Sequence, residues 1–371
     1  MANSSIKNQN DTRNYGIDLL KIISMIMIIV LHITGQGGML ENTVTLSSQY
    51  NILWLLRAMC FCCVNCYALA TGYLMYQRKV KYSNIIYLYL QVVFYMAVIS
   101  VIYFSINPDL ITFKSFVDIL FPFAHDGYWY FTAYFGMFFF IPYLNILIEK
   151  LSKKQGAKLI LSIIFIFTIL PLIFDSDIFK MDSGYSMFWL ISMYLFGAYF
   201  KKYNFKIKLK KRTGFLIYMI SVLTAFGIRT LFIFAKTNTD FIKLNGTYII
   251  NYCSPFILLS SIGLLIFFSQ VKLKGTGKSI IRFLVPLSFG VYLIHVNPFI
   301  WESAKGIFSD FASLNLFLMT VYILIFTLLI YLSCALLDSI RLSLFKVIKV
   351  KQFSEKLSNI ISFKINKLIK L

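Results

Sequence analysis

Three ionisable residues, Asp18, Lys21 and His32, lie within one apolar segment near the start of the chain. His32 is eleven positions after Lys21. On a helix, the two side chains would therefore point within about 20° of the same direction and lie about 16 Å apart along the axis. Asp18 falls on the same stripe, although Asp18 and Lys21, three residues apart, can instead pair with each other. His32 has no charged partner on this helix, and a neutral imidazole can act as a general base or a nucleophile. The stripe therefore predicts acid–base chemistry at His32.

Other ionisable residues also fall within or beside apolar segments. Arg57 and Arg229 are permanently charged, so each needs an acid, a carbonyl or an anionic ligand as a partner. His125 opens the segment HDGYWYF and His295 closes the segment FGVYLIH; each can be a functional group or a structural hydrogen-bond donor. Asp338, at the end of the last apolar segment, is expected to lie at the membrane interface.

The composition excludes a water-soluble domain. The 371 residues are 59% apolar and 14% charged, with a mean hydropathy of +0.75, whereas soluble domains are about 25% charged. The net charge of +21 would suggest nucleic-acid binding in a soluble chain, but too few polar residues remain here to coat a globule. Apolar stretches of the roughly 20 residues that a membrane helix needs recur along the chain. We therefore expect an all-α polytopic membrane bundle that retains its first helix and binds no nucleic acid.

The distribution of basic residues predicts the topology. Ten candidate spans lie at about 16–34, 51–75, 84–105, 128–148, 158–174, 186–200, 214–235, 248–270, 281–301 and 314–337. With the N-terminus in the cytoplasm, 28 of the 36 Lys and Arg residues fall in cytoplasmic segments and five in external ones. This asymmetry predicts about ten transmembrane helices in the cell membrane, with both chain ends in the cytoplasm. Residues 1–338 are interpreted as one membrane domain and 339–371 as a basic amphipathic tail on anionic lipid.

The cysteines and histidines do not predict a metal site. Four of the six cysteines fall in the second span, among Phe, Val and Met: Cys60, Cys62, Cys63 and Cys66. Cysteine is a common small apolar residue in such places, and none of these has a nearby histidine. The three histidines lack carboxylate or thiolate partners in register. We therefore expect no metal and no tightly bound cofactor.

Four segments together resemble a known family, the acyltransferase 3 family of integral membrane acyltransferases. In order, they read NYGIDLLKIISMIMIIVLH, RAMCFCCVNCYALATGYLMYQRK, DGYWYFTAYFGMFFFIPYLN and SFGVYLIHVNPF. The first resembles the opening helix of the family, which carries an acid, a basic residue and a His eleven residues further on. Lys21 stands where the family usually has Arg, so a point charge replaces a bidentate grip.

The resemblance implies transfer of an acyl group, most often acetyl from cytoplasmic acetyl-CoA, to a hydroxyl of an envelope acceptor. The catalytic His of the family maps onto His32, as a base or as a covalent acetyl carrier, while Asp18 and Lys21 would position the donor. The expected partners are acyl-CoA, a surface polysaccharide or lipid-linked sugar, and membrane lipids. The second segment is similar to members that acetylate capsular or exopolysaccharides. The residues expected to bind the acceptor are Arg57, His125, Trp129, Tyr130, Tyr292 and His295.

Two other classes of function share these features. A polytopic bundle with buried Arg and aromatic residues also describes transporters and flippases of polysaccharide precursors or small molecules. The scarcity of proline, with seven residues, and the lack of a repeat between the two halves weigh against transport. A membrane sensor without catalysis is the third possibility.

Overall fold

The computed structural model describes residues 13–123, 127–204, 209–239 and 246–369. Within these ranges the chain is helical and contains no strand, which confirms the all-α fold class. The α-helices are α1 (Tyr15–Thr34), α2 (Ser48–Cys60), α3 (Cys63–Met75), α4 (Tyr82–Ile106), α5 (Phe113–Leu120), α6 (Trp129–Lys150), α7 (Lys153–Ile164), α8 (Leu170–Phe174), α9 (Met187–Lys202), α10 (Lys211–Asn238), α11 (Pro255–Ser269), α12 (Gly275–Leu284), α13 (Ser288–His295), α14 (Pro298–Ser303), α15 (Leu316–Val347) and α16 (Val350–Ile369).

Eight helical stretches among the described residues are long and apolar enough to cross a membrane. They are α1, α2 with α3, α4, α6, α7 through α8, α10, α12 through α13, and α15. Helices α9 and α11 lie at two further predicted spans but have 16 and 15 residues, fewer than the roughly 20 that cross a bilayer unaided. The multi-pass membrane fold is confirmed, whereas the count of ten spans and the orientation stay predictions.

The outer surface of the bundle is apolar, as a hydrocarbon environment requires. Large side chains such as Leu231 and Phe234 on α10 and Leu336 and Ile340 on α15 are exposed. A soluble monomer rarely exposes contiguous apolar surface of this extent, because contact with water would be unfavourable. These faces therefore contact lipid.

Helix α1 lies in the interior of the bundle, against α2, α3, α11 and α15. Beside it, α3 and α9 approach each other closely through glycine. A Cβ added at Gly72 would overlap the backbone of Tyr194, and one added at Gly197 would overlap the carbonyl of Leu69. Small residues let membrane helices pack backbone to backbone, where dispersion contacts replace the missing hydrophobic drive.

Two of the predicted continuous spans are interrupted in the structure. The span predicted over 51–75 breaks between α2 and α3, at residues 61–62. The span predicted over 281–301 divides into α12, a 3₁₀ turn at Val285–Leu287, α13 and α14. Pro286 and Pro298 explain the second case, because proline removes a backbone donor and restricts the residue before it. Both interruptions border the cavity described below.

A buried ion pair joins α4, α13 and α15. Asp338 is 0% exposed and Arg341 is 2% exposed, and Arg341 donates two hydrogen bonds to the Asp338 carboxylate, at 2.9 and 2.6 Å. Tyr95 on α4 donates a third, at 2.7 Å. Asp338 is therefore enclosed by protein, partly by residues distant in sequence, and its expected position at the membrane interface stays a prediction. Helix α15 runs through the predicted boundary after residue 338.

Candidate active site

A cavity of about 710 Å³ lies between α1, α2, α3, α4, α6 and the segment that runs from Val285 through α13 and α14. Its volume falls in the usual range of ligand-binding sites. On α1 the lining extends from Lys21 to His32, which corresponds to about 16 Å of helix, and it continues beyond the helix at Gly35 and Gln36. The cavity therefore follows about half of the roughly 30 Å that a hydrocarbon core measures. His32 lines it near the C-terminal end of α1.

His32 forms a direct hydrogen bond with His295, which was expected to bind the acceptor but is not among the residues that line the cavity. His32 Nδ1 lies 3.1 Å from His295 Nε2, and His295 Nδ1 lies 2.6 Å from the carbonyl oxygen of Val291. Because a carbonyl only accepts, neutral His295 must carry its proton on Nδ1 and accept at Nε2. His32 then donates from Nδ1, so its Nε2 holds a free lone pair. This tautomer, assigned from the hydrogen-bond pattern, is the one a general base needs.

Three further contacts fix the ring of His32 and the helix that carries its partner. Trp301 meets His32 edge to face, with ring centroids 4.7 Å apart, and Gln36 donates to the Trp301 carbonyl at 3.1 Å. Tyr128 donates to the carbonyl of Leu293 on α13, at 2.8 Å. Such locking of a functional side chain by its neighbours reduces the reorganisation that a reaction requires.

Arg57 on α2 brings a permanent positive charge to the same wall. Its Nη1 donates to the carbonyl of Leu31 and to the hydroxyl of Thr34, both at 3.2 Å, and these residues flank His32 on α1. Gly35 leaves room for the guanidinium group, since an added Cβ would lie 3.0 Å from Arg57 Nη1. Arg57 Nε is buried and has no partner among the described residues.

The remaining wall near Arg57 is aromatic. Trp129 and Tyr130 both line the cavity, as predicted for acceptor-binding residues, and so does Tyr292. Two residues that the sequence did not indicate complete this wall, because Tyr185 and Tyr252 lie 4.6 and 6.2 Å from Trp129 between ring centroids. Flat aromatic faces beside a cation suit a sugar ring that carries polar groups. The predicted acceptor residue His125 lies outside the described residues.

Comparison with known proteins identifies the family of the chain. A family model described as an acyltransferase domain matches residues 14–337. The chain belongs to the acyltransferase 3 family. The match includes every helix that borders the cavity. No curated protein and no solved structure matches the chain. The protein is therefore a multi-pass membrane acyltransferase, and its site must accommodate an acyl donor.

The other end of the acyltransferase cavity is formed by Lys21, near the N-terminal end of α1. Asp18 lies on the same helix but does not line the cavity. Its carboxylate pairs with Arg13, with Arg13 Nε 2.5 Å from Asp18 Oδ2. In the described part of the chain the ion pair of Asp18 is thus with Arg13 rather than with Lys21, which leaves the Lys21 ammonium at the cavity wall.

Proposed function

We propose that this membrane acyltransferase transfers an acetyl group from cytoplasmic acetyl-CoA to a sugar hydroxyl of a cell-envelope glycan. Capsular polysaccharide, exopolysaccharide or their lipid-linked precursors are the proposed acceptors, and the cell membrane is the proposed location. The observation that carries the proposal is the His32–His295 hydrogen bond at the wall of a cavity that follows α1. It supplies a base, and the cavity supplies room for a donor and an acceptor.

In the proposed reaction the acceptor hydroxyl donates a hydrogen bond to Nε2 of His32. His32 removes the proton while the hydroxyl oxygen attacks the thioester carbonyl, and the imidazolium stays hydrogen-bonded to His295 through Nδ1. The hydroxyl of Tyr292, which lines the cavity and has no partner among the described residues, can donate to the developing oxyanion. Collapse of this intermediate breaks the carbon–sulfur bond. The proton then passes from His32 to the departing thiolate, giving an ester and free CoA.

The length of the cavity supports direct transfer over a separate acetyl-His32 stage. Lys21 and His32 both line one cavity and lie about 16 Å apart along α1. A donor whose phosphates lie near Lys21 can extend its thioester arm along this cavity towards His32. The acceptor then approaches from the aromatic end beside Trp129. Both substrates meet at one imidazole, so no covalent carrier is needed to bring the acetyl group from one side to the other.

Transport without acyl transfer remains the competing proposal. The interrupted helices beside the cavity would suit it, because broken helices line substrate sites in transporters. The family match, however, concerns an acyltransferase domain, and a transporter has no need of a histidine base held in one tautomer. Acyl transfer explains both the family match and the single tautomer of His32.

The test compares O-acetyl groups on cell-surface polysaccharide, measured by proton NMR before and after mild alkaline removal. Cells carry the intact gene, no gene, His32→Ala, His32→Gln or Lys305→Gln, with the protein quantified in each membrane preparation. Lys305 is exposed and does not line the cavity, so its variant is the matched control. We expect both His32 variants to lose transfer by about a hundredfold or more and Lys305→Gln to retain it. Equal acetylation in all strains would overturn the polysaccharide acceptor.

A further inference from the structure

Two arginines, the half-buried Arg57 and the buried Arg229, lie over the same indole ring and are called the arginine pair below. The guanidinium carbon of Arg229 on α10 lies 3.3 Å from the ring centroid of Trp54, and that of Arg57 lies 5.3 Å from it. Arg229 also donates to the hydroxyl of Tyr50 at 2.9 Å. Cation–π contacts attract each guanidinium group to the ring but leave its positive charge in place. Two positive charges thus share one small region of the bundle.

The arginine pair lacks the counter-charge that buried cations require. Arg229 is 9% exposed, and in the described residues neither arginine forms an ion pair with a carboxylate. The hydrogen bonds of Arg57 go to neutral acceptors, the Leu31 carbonyl and the Thr34 hydroxyl, and its buried Nε has none. A cation inside a membrane protein is costly unless it is paired or faces a functional cavity. Arg57 faces the cavity.

The same fold supplies a carboxylate where an arginine is structural. Arg341 on α15 is 2% exposed and donates to both oxygens of the Asp338 carboxylate, at 2.9 and 2.6 Å. Arg57 has a comparable guanidinium fork without such a partner. The difference between the two sites is that the Arg341 site is closed by protein, whereas the Arg57 site opens on the substrate cavity. A bidentate anion carried by a ligand is therefore the missing partner.

We propose that the arginine pair binds an anionic group of the acceptor, a carboxylate of an acidic sugar or a phosphate of a lipid-linked sugar. The inference rests on the proposed function of the same cavity. Arg57 grips the anion, and Arg229 raises the positive potential behind it. Because Arg57 contacts Leu31 and Thr34, on either side of His32, the acetylated hydroxyl lies on the sugar that carries the anion or on its neighbour. Trp129 stacks on the sugar ring, which lies between Arg57 and His32.

The test uses the full-length protein in lipid nanodiscs and matched pairs of probes. One pair is a glucuronate-containing oligosaccharide and the same oligosaccharide with its carboxyl groups reduced to hydroxymethyl. The other pair is a polyprenyl diphosphate sugar and the corresponding neutral polyprenyl glycoside. We expect one anionic probe to bind at least tenfold more tightly than its neutral counterpart, which corresponds to about 1.4 kcal/mol. Which pair shows the preference distinguishes a carboxylate from a phosphate.

Two variants of Arg57 and one control variant assign that preference to Arg57, the member of the arginine pair that lines the cavity. Arg57→Gln should bring the anionic-to-neutral affinity ratio close to one, and Arg57→Lys, which keeps a point charge in the same place, should give an intermediate ratio. Lys305→Gln removes one exposed charge away from the cavity and should keep the wild-type ratio. No preference in the wild-type protein for either anionic probe would overturn the proposal, as would a preference that survives Arg57→Gln. Both results are measured by binding and need no turnover. The proposed function fails by a different result, acyl transfer that persists in His32→Ala.

Discussion

Gly290 on α13 is the position where one added methyl group tests the link between the fold and the site. A Cβ there would overlap the Asp338 carboxyl group and lie 2.6 Å from Asp338 Cβ, whereas real Cβ contacts essentially never fall below 3.0 Å. Asp338 cannot rotate away freely, because it is fully buried and holds hydrogen bonds from Arg341 and Tyr95. Gly290→Ala must therefore displace either the ion pair or α13.

The size of the effect depends on whether the ion pair or α13 is displaced. Displacing Asp338 leaves Arg341 as an uncompensated buried charge, which costs about 3–5 kcal/mol of a stability that is typically about 5–15 kcal/mol. Displacing α13 instead carries His295 away from His32, and a shift of about 1 Å at a reacting group can cost about a hundredfold in rate. We expect Gly290→Ala to lower the unfolding temperature, the transfer rate, or both.

The assay combines thermal unfolding of purified protein in detergent with acyl transfer per mole of folded protein in membranes. The matched control is Gly227→Ala on α10, where an added Cβ meets no described atom within 4 Å; it should unfold at or slightly above the wild-type temperature, since Ala favours a helix over Gly by about 1 kcal/mol. Wild-type stability and rate in Gly290→Ala would refute the packing argument. Lower stability with an unchanged rate would mean that the ion pair holds the fold without positioning His295.

Three further predictions concern the two ends of the cavity. His295→Leu should lower kcat by about a hundredfold, because His32 loses the acceptor that fixes its tautomer. His295→Gln, whose amide oxygen can accept a hydrogen bond, should recover part of the lost rate, and equal rates for the two variants would contradict the role of His295 as that acceptor. Lys21→Gln should raise KM for acyl-CoA far more than it lowers kcat, as expected for lost donor binding, in steady-state assays with varied donor. Asp18→Asn should lower the unfolding free energy by about 1 kcal/mol or less, since its partner Arg13 is partly exposed; a KM increase as large as that of Lys21→Gln would show that Asp18 contacts the donor.

The helical architecture could be predicted because a hydrocarbon environment restricts the chain so strongly. A membrane-spanning segment must satisfy its backbone internally and reach across about 30 Å, so length and apolarity together indicate a helix. The short helix α5 lies between the spans predicted at 84–105 and 128–148, and Thr112 forms a capping box with Ser115 at its start. The interruption between α2 and α3 was not predicted, because no proline or glycine marks residues 61–62.

The candidate site was predictable only as far as one helix determines it. The position of His32 on the polar stripe of α1 follows from helix geometry, and it does line the cavity. Its bond to His295 joins residues 263 positions apart, and no spacing rule relates two helices that meet only through tertiary packing. For the same reason Arg229 was expected to need an anion or carbonyl, while the fold gives it the ring of Trp54 and the hydroxyl of Tyr50.

The geometry of the histidine pair is fixed by lateral contacts rather than by helix continuity. Helix α13 has only eight residues and is separated from its neighbours by the 3₁₀ turn before Ser288 and the bend at Asn297. An isolated helix of this length is unstable, so its neighbours must hold it. Asp338 packs on Gly290, Tyr128 binds the carbonyl of Leu293, and His295 itself binds α1 through His32. Because α15, α1 and the residue that precedes α6 supply these contacts separately, a change at any one of them should reach the imidazole that we propose as the base.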